Sequence, residues 1–343
     1  MPHTNLDSIQ VLRGVAAFSV LLFHIGASWV TQFHLFEKNI LYVGASGVDL
    51  FFVICGFIAC YTTREIRHQN IKHYLIKRFV RITPLYWGLT LALGGILFLL
   101  PNFIAETTLS WANLFKSLSF IPYDRGDGKL YPILYLGWTL NYEIFFYLLF
   151  ALSLIIGNTR MLFAGIIIAL LGITGQIFKP EFAIGKFYTN LIMIEFIFGG
   201  LIYFLYARHT HILKMLIPFW PVFALLLIVQ NHFIFDLHRT WKWGIPAALL
   251  FSSISVITIS QKRNWKWLIK LGDISYSLYL THPFVIIIMS KLTIAAIGRT
   301  PLGAGISAFA SIVACLVVSW VLFRFFEVPS NQWLRHKFLK STA

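Results

Sequence analysis

Ten runs of about 20 mostly apolar residues follow one another along the chain, each long enough to carry a helix across a bilayer. They lie at 10–30, 40–62, 83–101, 133–157, 161–178, 188–207, 215–231, 243–260, 274–293 and 303–326. A lipid interior accepts only helices and closed barrels, because backbone polar groups find no water there. Most of these runs are about twice the length of a barrel strand. The sequence therefore predicts an all-α, polytopic integral membrane protein: a single membrane domain over 1–343, with the bilayer as its constant partner. Composition agrees: charged residues make up 12% of the chain, about half the share of a soluble domain, and mean hydropathy is +0.76. With 28 Lys and Arg and 13 Asp and Glu among 343 residues, too few charges exist to coat a soluble exterior. That excludes a soluble enzyme, a disordered chain and an ordinary nucleic-acid module, so no nucleic acid is expected as a partner.

The net charge of +15 instead records topology, because Lys and Arg collect in cytoplasmic loops. With the N-terminus inside, 18 of the 28 basic residues fall on inside segments and 10 outside. Both termini are then cytoplasmic. The strongest marker is the predicted loop 63–82, with Arg64, Arg67, Lys72, Lys77, Arg78 and Arg81; other inside markers include Lys262, Arg263 and Lys340. The first run is too polar in its middle for a cleaved leader. The segment 161–186 reads either as a span or as a shallow hairpin. The loop 102–132, with Trp111, Asp124, Gly126, Asp127 and Gly128, reads either as a connector or as part of an acceptor site. Cys55, Cys60 and Cys315 are odd in number and sit in apolar runs. They read as small buried hydrophobes, and no spacing suits a metal.

Ionisable groups inside lipid are costly and so draw attention as functional candidates. Arg13 and His24 stand eleven residues apart in the first run. In a helix they return to within roughly 20° of one another, about 16 Å apart along the axis. A cation at the cytoplasmic mouth and an imidazole deeper in could hold the two ends of an elongated anionic ligand. Arg13 could also be a snorkelling anchor. Asp49 follows the small residues 44–47, and could orient an imidazole or pair with an arginine. Arg78 and Arg81 share a helix face ahead of Pro84, which is expected to start or kink the next span. Two guanidinium groups suit a phosphate, although the positive-inside pattern alone also explains them. Glu143 and Tyr147 are one helical turn apart, beside Trp138, Asn141 and Tyr142. Glu195 precedes Gly199-Gly200 and reads as an interhelical tie. Ser275, Tyr279 and His282 form one stripe, and Pro283 after His282 frees local carbonyls that the imidazole could satisfy. The absence of a repeat between the two halves speaks mildly against an inverted-repeat transporter.

In order along the chain stand Leu12-Arg13-Gly14 with His24, Gly47-Val48-Asp49-Leu50-Phe51-Phe52-Val53, and Gly56-Phe57. Arg78-x-x-Arg81-Ile82-x-Pro84-x-Tyr86-Trp87 and Trp138-Thr139-Leu140-x-x-Glu143-x-x-Phe146-Tyr147 come next. Ser275-Tyr276-Ser277-Leu278-Tyr279-x-x-His282 and Phe326-Glu327 complete the set. Together these resemble the membrane acyltransferase-3 family over essentially the whole chain, with the exopolysaccharide-production branch as the nearest flavour. Cys55 departs from the serine often found before Gly56, a conservative change.

The resemblance implies O-acyl transfer, most often of acetyl, from cytoplasmic acetyl-CoA or another acyl-CoA. The acceptor it implies is a sugar hydroxyl of a cell-surface polysaccharide or a lipid-linked oligosaccharide precursor. It also implies a multi-pass protein of the cell (inner) membrane, and leaves homo-oligomerisation open. On this reading Arg13, Arg78 and Arg81 hold the coenzyme's phosphates. His24 acts as general base or becomes a transient acyl-imidazole. Glu143 or Asp49 fixes the tautomer or orients the acceptor. Tyr147 or Ser275 polarises the thioester oxygen, and Trp138 and His282 join them around the substrate. No hydrolase-like domain is appended in this sequence, so the membrane part is expected to complete the reaction. The competing classes are a proton-coupled transporter or flippase using Asp49, Glu143 and Glu195, and a non-catalytic scaffold of a polysaccharide assembly.

Overall fold

The computed structural model describes residues 7–64, 71–100, 110–126, 128–229, 237–257 and 265–339. Arg67, Asp127, Lys262, Arg263 and Lys340 lie outside them. Among the described residues the regular structure is helical throughout, and nine helices are long and apolar enough to cross a membrane. The fold is thus an all-α polytopic membrane protein. It divides into two compact units, Met1–Phe57 with Leu201–Phe325, and Ile58–Gly200 with Phe326–Ala343.

The first unit is organised around α1 (Asp7–Thr31). A short 3₁₀ turn, Tyr42–Ser46, packs on α1 and leads into α2 (Gly47–Thr62). Two other helices that matter here are α12 (Lys266–Asp273) and α13 (Ser275–Ile297); α14 (Pro301–Leu322) packs on α13. Their shared core holds Ala17, Leu21, Ile25, Leu278, Val285, Ile286 and Cys315. The helices meet backbone to backbone where glycines remove the side chain. A Cβ on Gly14 would lie 2.8 Å from the Gly272 nitrogen, and one on Gly272 would overlap the Gln10 carbonyl oxygen. That contact fixes how α13 rises beside α1. His24 on α1 and His282 on α13 come into ring contact, 4.8 Å between centroids.

The second unit contains α3 (Ile71–Leu99), the short α4 (Trp111–Leu118) and α5 (Gly137–Ser153). It continues through α6 (Arg160–Phe178), α7 (Ala183–Tyr188) and the start of α8 (Ile194–Arg208). Of the remaining helices, α9 (Thr210–Leu216), α10 (Trp220–Val229) and α11 (Ile245–Ile254) belong to the first unit and α15 (Val328–Leu339) to the second. Side chains such as Leu99, Leu170, Ile173, Ile228, Leu292 and Phe309 are exposed. In water such faces would be a liability; in lipid they are the solvent-matched surface.

Three expectations need correction. The basic segment 63–82 is not a loop over its length, because α3 begins at Ile71 and carries Lys72, Lys77, Arg78 and Arg81 on one continuous helix. Pro84 therefore sits inside that helix rather than starting it. The reason is length: 29 residues make about 43 Å of helix against a hydrocarbon core of roughly 30 Å, so the basic end can project beyond the apolar stretch. The last run likewise continues, through a π turn at Phe323–Glu327, into α15. The eighth run, 243–260, is helical over Thr240–Ile254, a π turn followed by α11, and is shorter than the other spans. Of the two readings of segment 161–186 the span is the one found, a helix of 19 residues followed by the short α7.

The glycine contact makes a test. Gly272→Ala is expected to destabilise the protein by about 1–3 kcal/mol, as overpacking does. Gly95→Ala, where a Cβ meets nothing within 4 Å, should be neutral or stabilising by up to about 1 kcal/mol. Thermal unfolding in detergent compares the two, and equal behaviour would contradict the contact.

Candidate functional site

In the first unit, Arg13 lies near the start of α1. Its guanidinium donates to Gln10 Oε1 at 2.9 Å, and Gln10 Nε2 donates to Asp273 Oδ1 at 2.8 Å. The arginine is thus held at the α1–α12 contact, at the predicted cytoplasmic end. His24, on the same face of α1, is half-buried. The Phe23 ring meets it edge-on at 4.7 Å, and the His282 ring lies 4.8 Å away with planes tilted by 51°.

His282 is 0% exposed. Its Nδ1 lies 3.0 Å from the Leu278 carbonyl oxygen, and a carbonyl can only accept, so Nδ1 carries the proton. Pro283 explains the local structure: it cannot donate to the Tyr279 carbonyl one turn back, which loosens the backbone beneath the imidazole. Tyr279 stands 6.1 Å from His282 and 6.0 Å from Phe51. Ser275 is buried, and its hydroxyl has no hydrogen-bond partner among the described residues.

The structure brings Asp49 to an arginine that the sequence reading did not single out. Arg239 Nε donates to Asp49 Oδ1 at 2.9 Å, and its Nη2 donates to Oδ2 at 2.7 Å and to the Ala45 carbonyl at 2.8 Å. Asp49 is 0% exposed, the arginine side chain 29%. The guanidinium also lies 5.0 Å over the Trp243 ring, and Tyr42 packs on Trp243 at 5.3 Å. Of the two roles open to Asp49, pairing with an arginine is the one the coordinates display. Burial, and then the Arg239 charge, hold His238 below its ordinary pKa, against a weaker opposite pull from Asp49. One sequence signal pointed to Arg239: it sits at the outer end of a span, against the prevailing charge bias.

In the second unit, Tyr147 donates to Glu143 Oε1 at 2.5 Å, as their spacing predicts. Arg78 joins them from α3. It is 8% exposed, lies 5.0 Å over Tyr147 and 5.3 Å over Tyr74, and donates to Thr62 Oγ1 at 2.7 Å and the Ile58 carbonyl at 3.1 Å. Arg81 is half-buried one turn further along, where α15 packs on α3. Trp138 meets Tyr142 edge-on at 5.9 Å, and Tyr142 stacks on Phe187 at 4.0 Å. Asn141 is fully buried, and its amide has no hydrogen-bond partner among the described residues. Glu195 is 0% exposed in the first turn of α8, where the helix dipole favours a carboxylate. No cluster of three or more His, Cys, Asp or Glu suited to a metal exists among the described residues.

The ion pair makes the second test. Removing one partner of a buried pair leaves an uncompensated charge and costs about 3–5 kcal/mol. Arg239→Ala should therefore be strongly destabilised, and Asp49→Leu combined with Arg239→Met should recover much of the loss. Unfolding midpoints that simply add in the double variant would show the pair is not coupled.

Comparison with known proteins identifies the family. The profile of the acyltransferase-3 family, described as an acyltransferase domain, matches residues 6–324. "Exopolysaccharide production protein ExoZ" of Rhizobium meliloti is 31% identical over 315 residues, covering 87% of this chain and 93% of that protein. "Putative acetyltransferase ORF330" of Acidianus two-tailed virus is 25% identical over 82% of this chain and 85% of its own length. "Putative O-acetyltransferase SACOL0978" of Staphylococcus aureus is 22% identical over 94% of this chain but 57% of its own length. No solved structure matches.

Proposed function

The chain belongs to the acyltransferase-3 family and is a multi-pass membrane O-acyltransferase, and from that premise we propose that it moves an acetyl group from cytoplasmic acetyl-CoA to a sugar hydroxyl. The acceptor is assigned as an exopolysaccharide or its lipid-linked precursor, and the location as the cell (inner) membrane. The name and identity of the Rhizobium relative support that acceptor class. The observation that carries the reading is the placement of Arg13 and His24 on one face of α1, with His24 half-buried against a second imidazole.

The chemistry follows from the two ends of the donor. Coenzyme A presents phosphates at one end and a thioester at the tip of a long flexible arm. Arg13 at the cytoplasmic end suits the phosphates, and His24, about 16 Å further along the helix, suits the reacting carbon. His24 takes the proton of the acceptor hydroxyl while the new C–O bond forms, the C–S bond breaks, and the proton passes to the departing thiolate. Arg78 and Arg81 are assigned to the donor's phosphates on chemical grounds, as guanidinium groups bind phosphate bidentately. Glu143, Tyr147, Trp138 and Ser275 are assigned to substrate contact or orientation. Asp49 is assigned to acceptor positioning through Arg239.

Two outcomes are expected. His24→Ala should lower acyl transfer by ~10²–10⁴-fold with normal membrane insertion, measured as thiol release from acetyl-CoA and as polysaccharide acetate. Wild-type transfer by that variant would remove His24 from the mechanism. Arg81→Ala should weaken acetyl-CoA binding to purified protein several-fold, by about 1 kcal/mol for one half-buried charge-assisted contact, while leaving unfolding unchanged. Unaltered binding would dismiss the phosphate role.

A further inference from the structure

His282 fully buries a polar nitrogen. Its Nδ1–H is committed to the Leu278 carbonyl at 3.0 Å, so in the neutral ring Nε2 is a bare acceptor. That nitrogen has no hydrogen-bond partner among the described residues, and the residue is 0% exposed. A buried acceptor without a donor is costly, and such a group at a candidate site calls for an explanation. The adjacent ring is His24, 4.8 Å away between centroids, close enough for a modest tilt to bring two ring nitrogens within ~3 Å. The burial gradient sets the order. His24 is half-buried and His282 wholly buried, so a ligand meets His24 first with His282 behind it.

We infer that His282 is the positioning residue for His24, its Nε2 receiving the His24 ring N–H when substrate is bound. This rests on the acyl-transfer reading and deepens it. The chain of groups is then directional: the Leu278 carbonyl accepts from His282 Nδ1–H, His282 Nε2 accepts from one His24 nitrogen, and the other His24 nitrogen is left bare. That bare nitrogen faces the acceptor hydroxyl. The backbone carbonyl thereby dictates the tautomer of a residue two steps away, the task an orienting carboxylate performs in hydrolytic triads. The proton balance is unchanged. The hydroxyl proton goes to His24 and then to the thiolate as the C–S bond breaks, while His282 keeps its own proton throughout. Pro283 contributes by leaving the Tyr279 carbonyl without its helical donor, which gives the His282 turn the freedom to make the tilt.

The test uses the full chain in lipid nanodiscs with ring-¹⁵N histidine, His24 being identified by the signals lost in His24→Ala. With acetyl-CoA bound, wild type should show His24 in a single tautomer, and His282→Phe should show a mixture. Turnover, followed as thiol release from acetyl-CoA in native membranes, should fall on the order of 10²-fold in His282→Phe with KM unchanged. His282→Gln, whose amide oxygen can stand in for Nε2, should stay within about 10-fold of wild type and keep the single tautomer. It also serves if the Phe variant fails to fold. In a His24→Ala background, changing His282 should cost nothing more. Identical His24 signals in wild type and His282→Phe, or equal losses in the Gln and Phe variants, would overturn the proposal. If wild type releases no thiol at all, the acyl-transfer reading fails, and the ring spectra still decide whether the two histidines are coupled.

Discussion

A carboxylate, a guanidinium or an imidazole inside a bilayer must find its partners within the protein, because lipid offers none and the cost of leaving such a group unpaired is several kcal/mol. The interior of the first unit is arranged around that demand. Asp49 is neutralised by the fork of Arg239, which also ties the Ala45 carbonyl. His282 draws on a carbonyl of its own helix. Gln10 links Arg13 to Asp273 where α1 and α12 touch. The Gln10–Asp273 tie needs close helix approach, and the glycines at 14 and 272 supply it where α1 and α12 touch. The polar groups and the small residues are therefore one design: close backbones bring side chains near enough to pair, and pairing keeps them in lipid.

The same logic in the second unit produces a different grouping. Arg78 is screened by two tyrosine rings and bonded to Thr62, while Tyr147 is bonded to Glu143. Arg78 is better held than a cation serving only as a topological marker. A guanidinium fixed between aromatic faces has little rotamer freedom left to lose, which suits a fixed anchor more than a flexible lure.

Much of this was legible in the sequence because lipid imposes length and polarity so strictly. The spans at 10–30, 40–62 and 274–293 match helices to within a few residues. The Glu143–Tyr147 contact was legible because it is local, one helical turn. What escaped was of two kinds. Helix ends outside the apolar window escaped, as with the first turns of α3, since hydropathy locates lipid rather than helix. Partnerships between distant segments also escaped: Asp49 with Arg239 lies 190 residues apart in sequence, and His24 with His282 depends on how α13 rises from the glycine contact. Both histidines stood out singly, but no spacing rule joins residues on separate helices.

Addition of an acyl group to a surface sugar, the proposed activity, leaves its mark on the polysaccharide itself. Mass spectrometry of exopolysaccharide repeat units from cells with and without the protein tests it most directly. The repeat unit is expected to lose the mass of one acetyl group when the protein is absent, and to regain it when the wild-type chain is restored. Repeat units of identical mass in both cells, with polysaccharide still made in normal amount, would contradict it.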